Sequence, residues 1–207
     1  MRKMKLTTLL VLCLGLMTAC GAPSKQTNEA IEAYQNFLKG DLSLIDKDSV
    51  ESFFLTDLTD DDSRSEYEYT LIDLDGDDTK ELLIQFIDDP GSYNSVFHYE
   101  NGRIVCWRSD SLEMICYNYP LKNGMMVEEY DYDGSISYRI YHYLPTGETE
   151  DLNYLYIREE PSHLESSLNA PIYKIDDEDV CKEDFDKNLK ELILDKMLDR
   201  SDWTPVK

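Results

Sequence analysis

Four carboxylates stand close together in one short stretch: Asp73, Asp75, Asp77 and Glu81. They occupy positions 1, 3, 5 and 9 of a loop starting at Asp73, with Gly76 placed for a sharp turn. Hard oxygen ligands gathered by a tight loop are the chemistry of a Ca2+ site. Without a cation the same groups repel one another at short range. The competing reading is a solvated acidic hairpin, since a chain this acidic produces some Asp-x-Asp spacing by chance. An EF-hand fails on two points. Position 12 is Ile84, which cannot ligate, and the flanks EYEYTLI and ELLIQFI read as strands.

The segment resembles the strand-loop-strand calcium loop of FG-GAP and related VCBS-type β-repeats, where an acidic loop precedes a Leu-Leu-type strand. That resemblance implies Ca2+ as the cofactor and Asp73, Asp75, Asp77 and Glu81 as side-chain ligands, with the backbone carbonyl of Thr79 added. Asp78 stands where the family has Gly, at a position expected to need positive φ. The likeness covers a single loop, whereas a propeller needs many. A second acidic stretch, Asp131 to Ser135, lacks the later carboxylate and reads as a hairpin turn.

The elements around this loop follow from periodicity. Ile31, Tyr34, Phe37 and Leu38 have helical spacing, so a helix is expected over Glu29–Lys39, capped by Thr27 or Asn28 and stopped by Gly40. Residues 41–62 read as a short helix or irregular connection around Ser49–Phe54, followed by an exposed acidic loop. From Glu66 the period becomes two. Strands are expected at Tyr67–Leu74, Lys80–Ile87, Ser95–Tyr99, Ile104–Trp107, Met114–Tyr119, Met125–Tyr132, Ile136–Tyr143 and Tyr154–Arg158, with a short one near Ile172–Ile175. Asn101-Gly102, Asn123-Gly124 and Asp133-Gly134 are hairpin signals between them. Phe185, Leu189, Leu192, Ile193 and Met197 then mark an amphipathic helix over Glu183–Leu198. The expected fold is α+β and β-rich. It is an antiparallel meander of about eight strands with an N-terminal and a C-terminal helix packed on it. One sheet and a sandwich both remain open.

Eleven of the 15 tyrosines lie between Tyr93 and Tyr156. Alternation places Tyr130 with Tyr132, and Tyr141 with Tyr143, on one side of their strands. With Trp107 these rings could form a stacking face for a glycan or cell-wall ligand. Equally, tyrosine is a good strand former whose ring suits a half-exposed face.

The N-terminus is a targeting segment. Arg2, Lys3 and Lys5 precede an apolar run, Thr7–Met17, too short to span a bilayer about 30 Å thick. Met17-Thr18-Ala19-Cys20 resembles the lipobox of bacterial lipoproteins. That likeness implies removal of residues 1–19 and lipidation of Cys20; the small, polar composition that follows reads as a flexible tether over 20–28, and residues 29–207 read as a single domain. The motif set of lipobox, Ala33–Gly40 helix and acidic loop before Glu81-Leu82-Leu83-Ile84 is similar to small lipoproteins of Gram-positive gut bacteria. It implies anchoring in the cell membrane on the extracellular side and names no activity.

The chain carries 20 basic and 43 acidic groups, three of the basic ones within residues 1–19. This excludes a nucleic-acid binder, which needs a basic footprint, and a basic peripheral membrane binder. Cys106, Cys116 and Cys181 read either as thiols or, for the first two, as a cross-hairpin disulfide. Cys181 falls at the expected start of the last helix. No nucleophile elbow, zinc-protease helix, P-loop or dinucleotide fingerprint is present. The sequence therefore points to a surface-anchored, calcium-stabilised binding or display module without catalysis. A glycan-binding module is the alternative, and a hydrolase the weaker one.

Overall fold

The computed structural model describes residues 25–50, 52–91, 94–109, 116–159 and 171–207. The lipobox, Cys20 included, lies outside the described residues. Among them no helix is long and apolar enough to cross a membrane.

The fold is α+β with two antiparallel sheets. The first holds β1 (Tyr67–Ile72), β2 (Glu81–Phe86), β3 (Asn94–Glu100) and β4 (Arg103–Ser109). The second holds β5 (Cys116–Pro120), β6 (Met126–Tyr132), β7 (Ser135–Tyr143), β8 (Thr149–Arg158), β9 (Ile172–Ile175) and the two-residue β10 (Glu178–Asp179). Within β1–β4 and within β5–β10, strands adjacent in sequence are adjacent in space, and β11 (Thr204–Pro205) returns to close the first sheet beside β1. The meander is thus divided after β4 into two sheets.

Four layers result. Helices α1 (Lys25–Phe37) and α2 (Ser52–Thr59) cover the outer face of the first sheet. Ala30, Tyr34, Phe37 and Leu58 pack there on Leu82, Ile84 and Phe97. The inner face sends Leu83 and Val96 against Met126, Tyr141 and Tyr143 of the second sheet. The far side of that sheet, with Val127, Ile140 and Leu155, is covered by α4 (Lys182–Leu192) through Phe185 and Leu189. β2 is buried on both faces along its first five residues, which explains the unbroken apolar run Leu82-Leu83-Ile84 at its centre. Among the described residues, all buried members of these clusters lie between Ala30 and Val206, within residues 21–207.

Three expectations need correction at the ends of elements. α1 begins at Lys25, so Thr27 and Asn28 lie inside the helix, and residues 25–28 are not tether. Part of the expected acidic loop is a short helix, α3 (Asp61–Arg64), capped by the Asp60 carboxylate, which accepts the Ser63 N–H at 3.0 Å. α4 ends at Leu192, because Ile193 leaves helical geometry and two 3-10 turns follow. Met197 is consequently not on the helix face and is exposed.

Cys106, Cys116 and Cys181 carry thiols and are not joined in disulfides. Cys106 and Cys116 fall in different sheets, so they do not face each other across a hairpin. Cys181 is the N-cap of α4, with its Sγ 3.3 Å from Asp184. The Asp184 N–H pulls its pKa down, but the Asp184 and Glu183 side chains outweigh this and raise it. That is the opposite of an activated nucleophile.

Candidate metal centre

The acidic loop joins β1 to β2. Leu74 is buried and pins it to the seam between the sheets. Its carboxylates order the backbone by accepting N–H bonds. Asp73 accepts from Gly76 at 2.7 Å and from Asp78 at 3.1 Å; Asp75 accepts from Asp77 at 3.1 Å; Asp77 accepts from Thr79 at 2.6 Å. Asp78 has φ +68°, so the backbone bends where the resemblance requires a Gly-like conformation. Thr27 of α1 donates to the Asp78 carbonyl at 3.4 Å, tying helix to loop. On the other side the Asn123-Gly124 turn of the second sheet presses on Asp73. Gly124 has φ +80°, and a Cβ there would collide with the Asp73 carbonyl oxygen. This turn cannot take a side chain without withdrawing from the loop.

Two donor groups emerge, and Asp75 belongs to both. Asp73, Asp75 and Asp77 bring carboxylate oxygens within 4.8 Å of one another. Glu81 joins a different set. It is fully buried, takes the Leu74 N–H at 2.7 Å and stands 3.0 Å from Nδ1 of His98. Asp75, Glu81 and His98 also place their ligating atoms within 4.8 Å. Thr79 is buried, with its N–H held by Asp77. The four carboxylates read from the sequence are therefore arranged in two overlapping sets.

Burial pushes the Asp75 and Glu81 carboxyls up, toward the neutral form. For His98, burial opposes the charged form, but the hydrogen bond and charge of Glu81 prevail and raise its pKa. These directions pull against each other within one contact. The His98 direction is the better supported, because a donor 3.0 Å away satisfies a carboxylate that water cannot reach. Oδ2 of Asp75 is shielded from solvent and takes no hydrogen bond from the described residues.

His98 was not legible as a site residue. It reaches the loop through the pairing of β2 with β3, where Leu82 faces Phe97 and the next position outward sets Glu81 beside His98. The sequence between these strands, residues 87–93, offers no Asn-Gly or Asp-Gly pair from which the register could be read.

The aromatic face needs correction. Period two does put Tyr130, Tyr132, Tyr141 and Tyr143 on one side, as expected, with Met126 opposite Tyr141 in the register. The first sheet covers only one end of that side. Tyr141 and Tyr143 are 0% and 3% exposed, whereas Tyr130 and Tyr132 are 41% and 56% exposed. Trp107 is half-buried and stacked between His98 (4.3 Å) and Tyr143 (5.2 Å), with Gly147 against its indole. Trp107, Tyr141 and Tyr143 are thus core groups. Tyr154, opposite Arg139 in the register, adds an exposed ring to the uncovered end.

A separate cleft of about 400 Å³ runs along the β5 edge, walled by Tyr117, Tyr119, Arg200 and Trp203. Among the described residues Glu129 is the one carboxylate lining it, and it accepts the Tyr119 hydroxyl at 2.9 Å.

The chain matches no protein-family model, no curated protein and no solved structure.

Proposed function

We propose that this chain is a cell-surface lipoprotein, anchored through a lipidated Cys20, whose β-rich domain is stabilised by Ca2+ and serves as a binding or display module without catalysis. The observation that carries the reading is the convergence of Asp73, Asp75 and Asp77 within 4.8 Å. These residues fit a hard cation: all donors are carboxylate oxygens, and one oxygen of Asp75 is shielded without a partner among the described residues. They would hold the ion, with Glu81 and the Thr79 carbonyl as the further ligands the resemblance implies. Bound Ca2+ supplies charge neutralisation and a fixed loop. The loop in turn touches α1 through Thr27 and the second sheet through Gly124, so fixing it braces three parts of the fold.

A thermal melt of residues 21–207 tests this. With a Kd on the order of 10⁻⁴ M, Ca2+ at about 1 mM adds about 1.4 kcal/mol of stability. That raises the midpoint by about 3–6 °C over the chelator control. Asp73→Asn is expected to respond far less. An unchanged midpoint in the unaltered protein would sink the calcium reading.

A second reading is favoured by the uncovered end of the sheet. Tyr130 and Tyr132 lie 6.1 Å apart with Tyr154 on the same side, and such rings suit stacking on sugar faces. Affinity electrophoresis through gels containing cell-wall or dietary polysaccharide checks it. Retardation of the unaltered domain should disappear in the Tyr130→Ala/Tyr132→Ala double variant. Equal mobility with and without every polysaccharide would remove the glycan reading.

A further inference from the structure

The second donor set lies deeper than the acidic loop and has a different chemistry. Glu81 is fully buried and His98 is 5% exposed, and they meet across the pairing of β2 with β3. Their Oε1 and Nδ1 atoms are 3.0 Å apart. Two donors on one tetrahedral zinc ion, each about 2.0–2.1 Å from it, stand about 3.3 Å from one another. The observed separation is that of a hydrogen bond, and a shift of a few tenths of an ångström turns the pair into two ligands of one ion. Asp75 completes the set within 4.8 Å, and its Oδ2 is shielded from solvent without a hydrogen-bond partner among the described residues.

We propose that Asp75, Glu81 and His98 form a site for a first-row divalent transition ion, with zinc the leading occupant. An imidazole nitrogen with two carboxylates is a donor set for zinc and its neighbours, whereas calcium takes six to eight oxygens. The imidazole is held in place before any ion arrives. It stacks on Trp107 at 4.3 Å and 11°, and Trp107 stacks in turn on Tyr143. An entry path exists as well. Asp75 also lines an open cleft of about 330 Å³, whose walls include Asn123, Gly124, His142 and Tyr143. Water or an outside ligand in that cleft can fill the remaining coordination positions. This donor set shares Asp75 and Glu81 with the ligands of the calcium reading, and differs from them in His98.

Cobalt(II) is the spectroscopic probe, titrated into chelator-treated residues 21–207. The expected result is one equivalent bound, with visible d–d absorption that zinc displaces. His98→Gln, shown to be folded by far-UV circular dichroism, should bind more weakly by at least the roughly 10- to 100-fold that loss of a ligand's supporting partner costs. No visible spectrum in the unaltered protein would overturn the site, and so would unchanged affinity in His98→Gln. A measurement on the unaltered chain covers the case of a variant that does not fold. A ligating histidine gives a strongly shifted, exchangeable imidazole N–H proton in the NMR spectrum of the cobalt form, lost in D2O. Absence of that proton overturns the site. The calcium melt reads Asp73 and the cobalt titration reads His98, so either reading can fail while the other stands.

Discussion

Tyr141→Ala is expected to destabilise the domain by about 3–5 kcal/mol, the range for removing a fully buried aromatic ring. Tyr141 is 0% exposed and sits at the seam of the two sheets, against Met126, Leu83 and Val96. Its ring meets Tyr143 edge-on at 5.7 Å, the Arg139 guanidinium lies 4.4 Å from its centroid, and its hydroxyl accepts from Arg108 at 3.2 Å. Truncation leaves a void where neither sheet can collapse independently, because each is held on its other side by helices. Tyr141→Phe keeps the ring and loses the hydroxyl contact, so about 1 kcal/mol is expected. Urea unfolding of both variants measures the difference. A loss below about 1 kcal/mol for Tyr141→Ala would mean that the sheets do not depend on this seam.

His98→Leu should have a comparable effect for a different reason. Glu81 is fully buried, and its partners are the Leu74 N–H and the His98 ring. Removing the ring strands a carboxylate in a water-excluded site, which costs about 3–5 kcal/mol when a buried pair is broken from one side. Glu81→Gln in the same background removes the stranded charge. The double variant is therefore expected to recover part of the loss, with a coupling of about 1–3 kcal/mol in a double-mutant cycle run in chelator. Strict additivity of the two single changes would falsify the pairing.

Sequence periodicity located the strands well where both faces or one face is apolar. β1, β2 and β6 appear close to their expected bounds. β8 is longer than expected, starting at Thr149 rather than Tyr154, because its first residues are acidic and exposed and show no alternation. Those residues are strand because β7 pairs with them, a tertiary cause that composition does not record. Division into two sheets was equally hidden, since β4 and β5 share the same period. The loop's bend at Asp78 was legible from its place in the acidic pattern. The division of the carboxylates between two sets was not. It depends on which way Glu81 faces once β2 is covered on both sides, and on a histidine 17 positions away. The tyrosine side shows the same limit. Alternation fixes which rings share a face, but only packing decides which end of that face is covered.

The return of β11 to β1 bears on how this domain avoids its own kind. A free outer strand is a template for another molecule, as its unpaired N–H and C=O groups invite a new partner. In the first sheet that strand would be β1. β11 occupies its edge, with Tyr69 opposite Thr204 and Glu68 opposite Pro205, and Val206 donates to the Tyr67 carbonyl at 2.9 Å. The added strand is two residues long, and one of them is a proline with no N–H to offer. The segment therefore acts as a terminator: it satisfies the edge it covers and presents almost nothing on which a further strand could grow. On this side of the first sheet, growth by strand addition has only a two-residue step to start from.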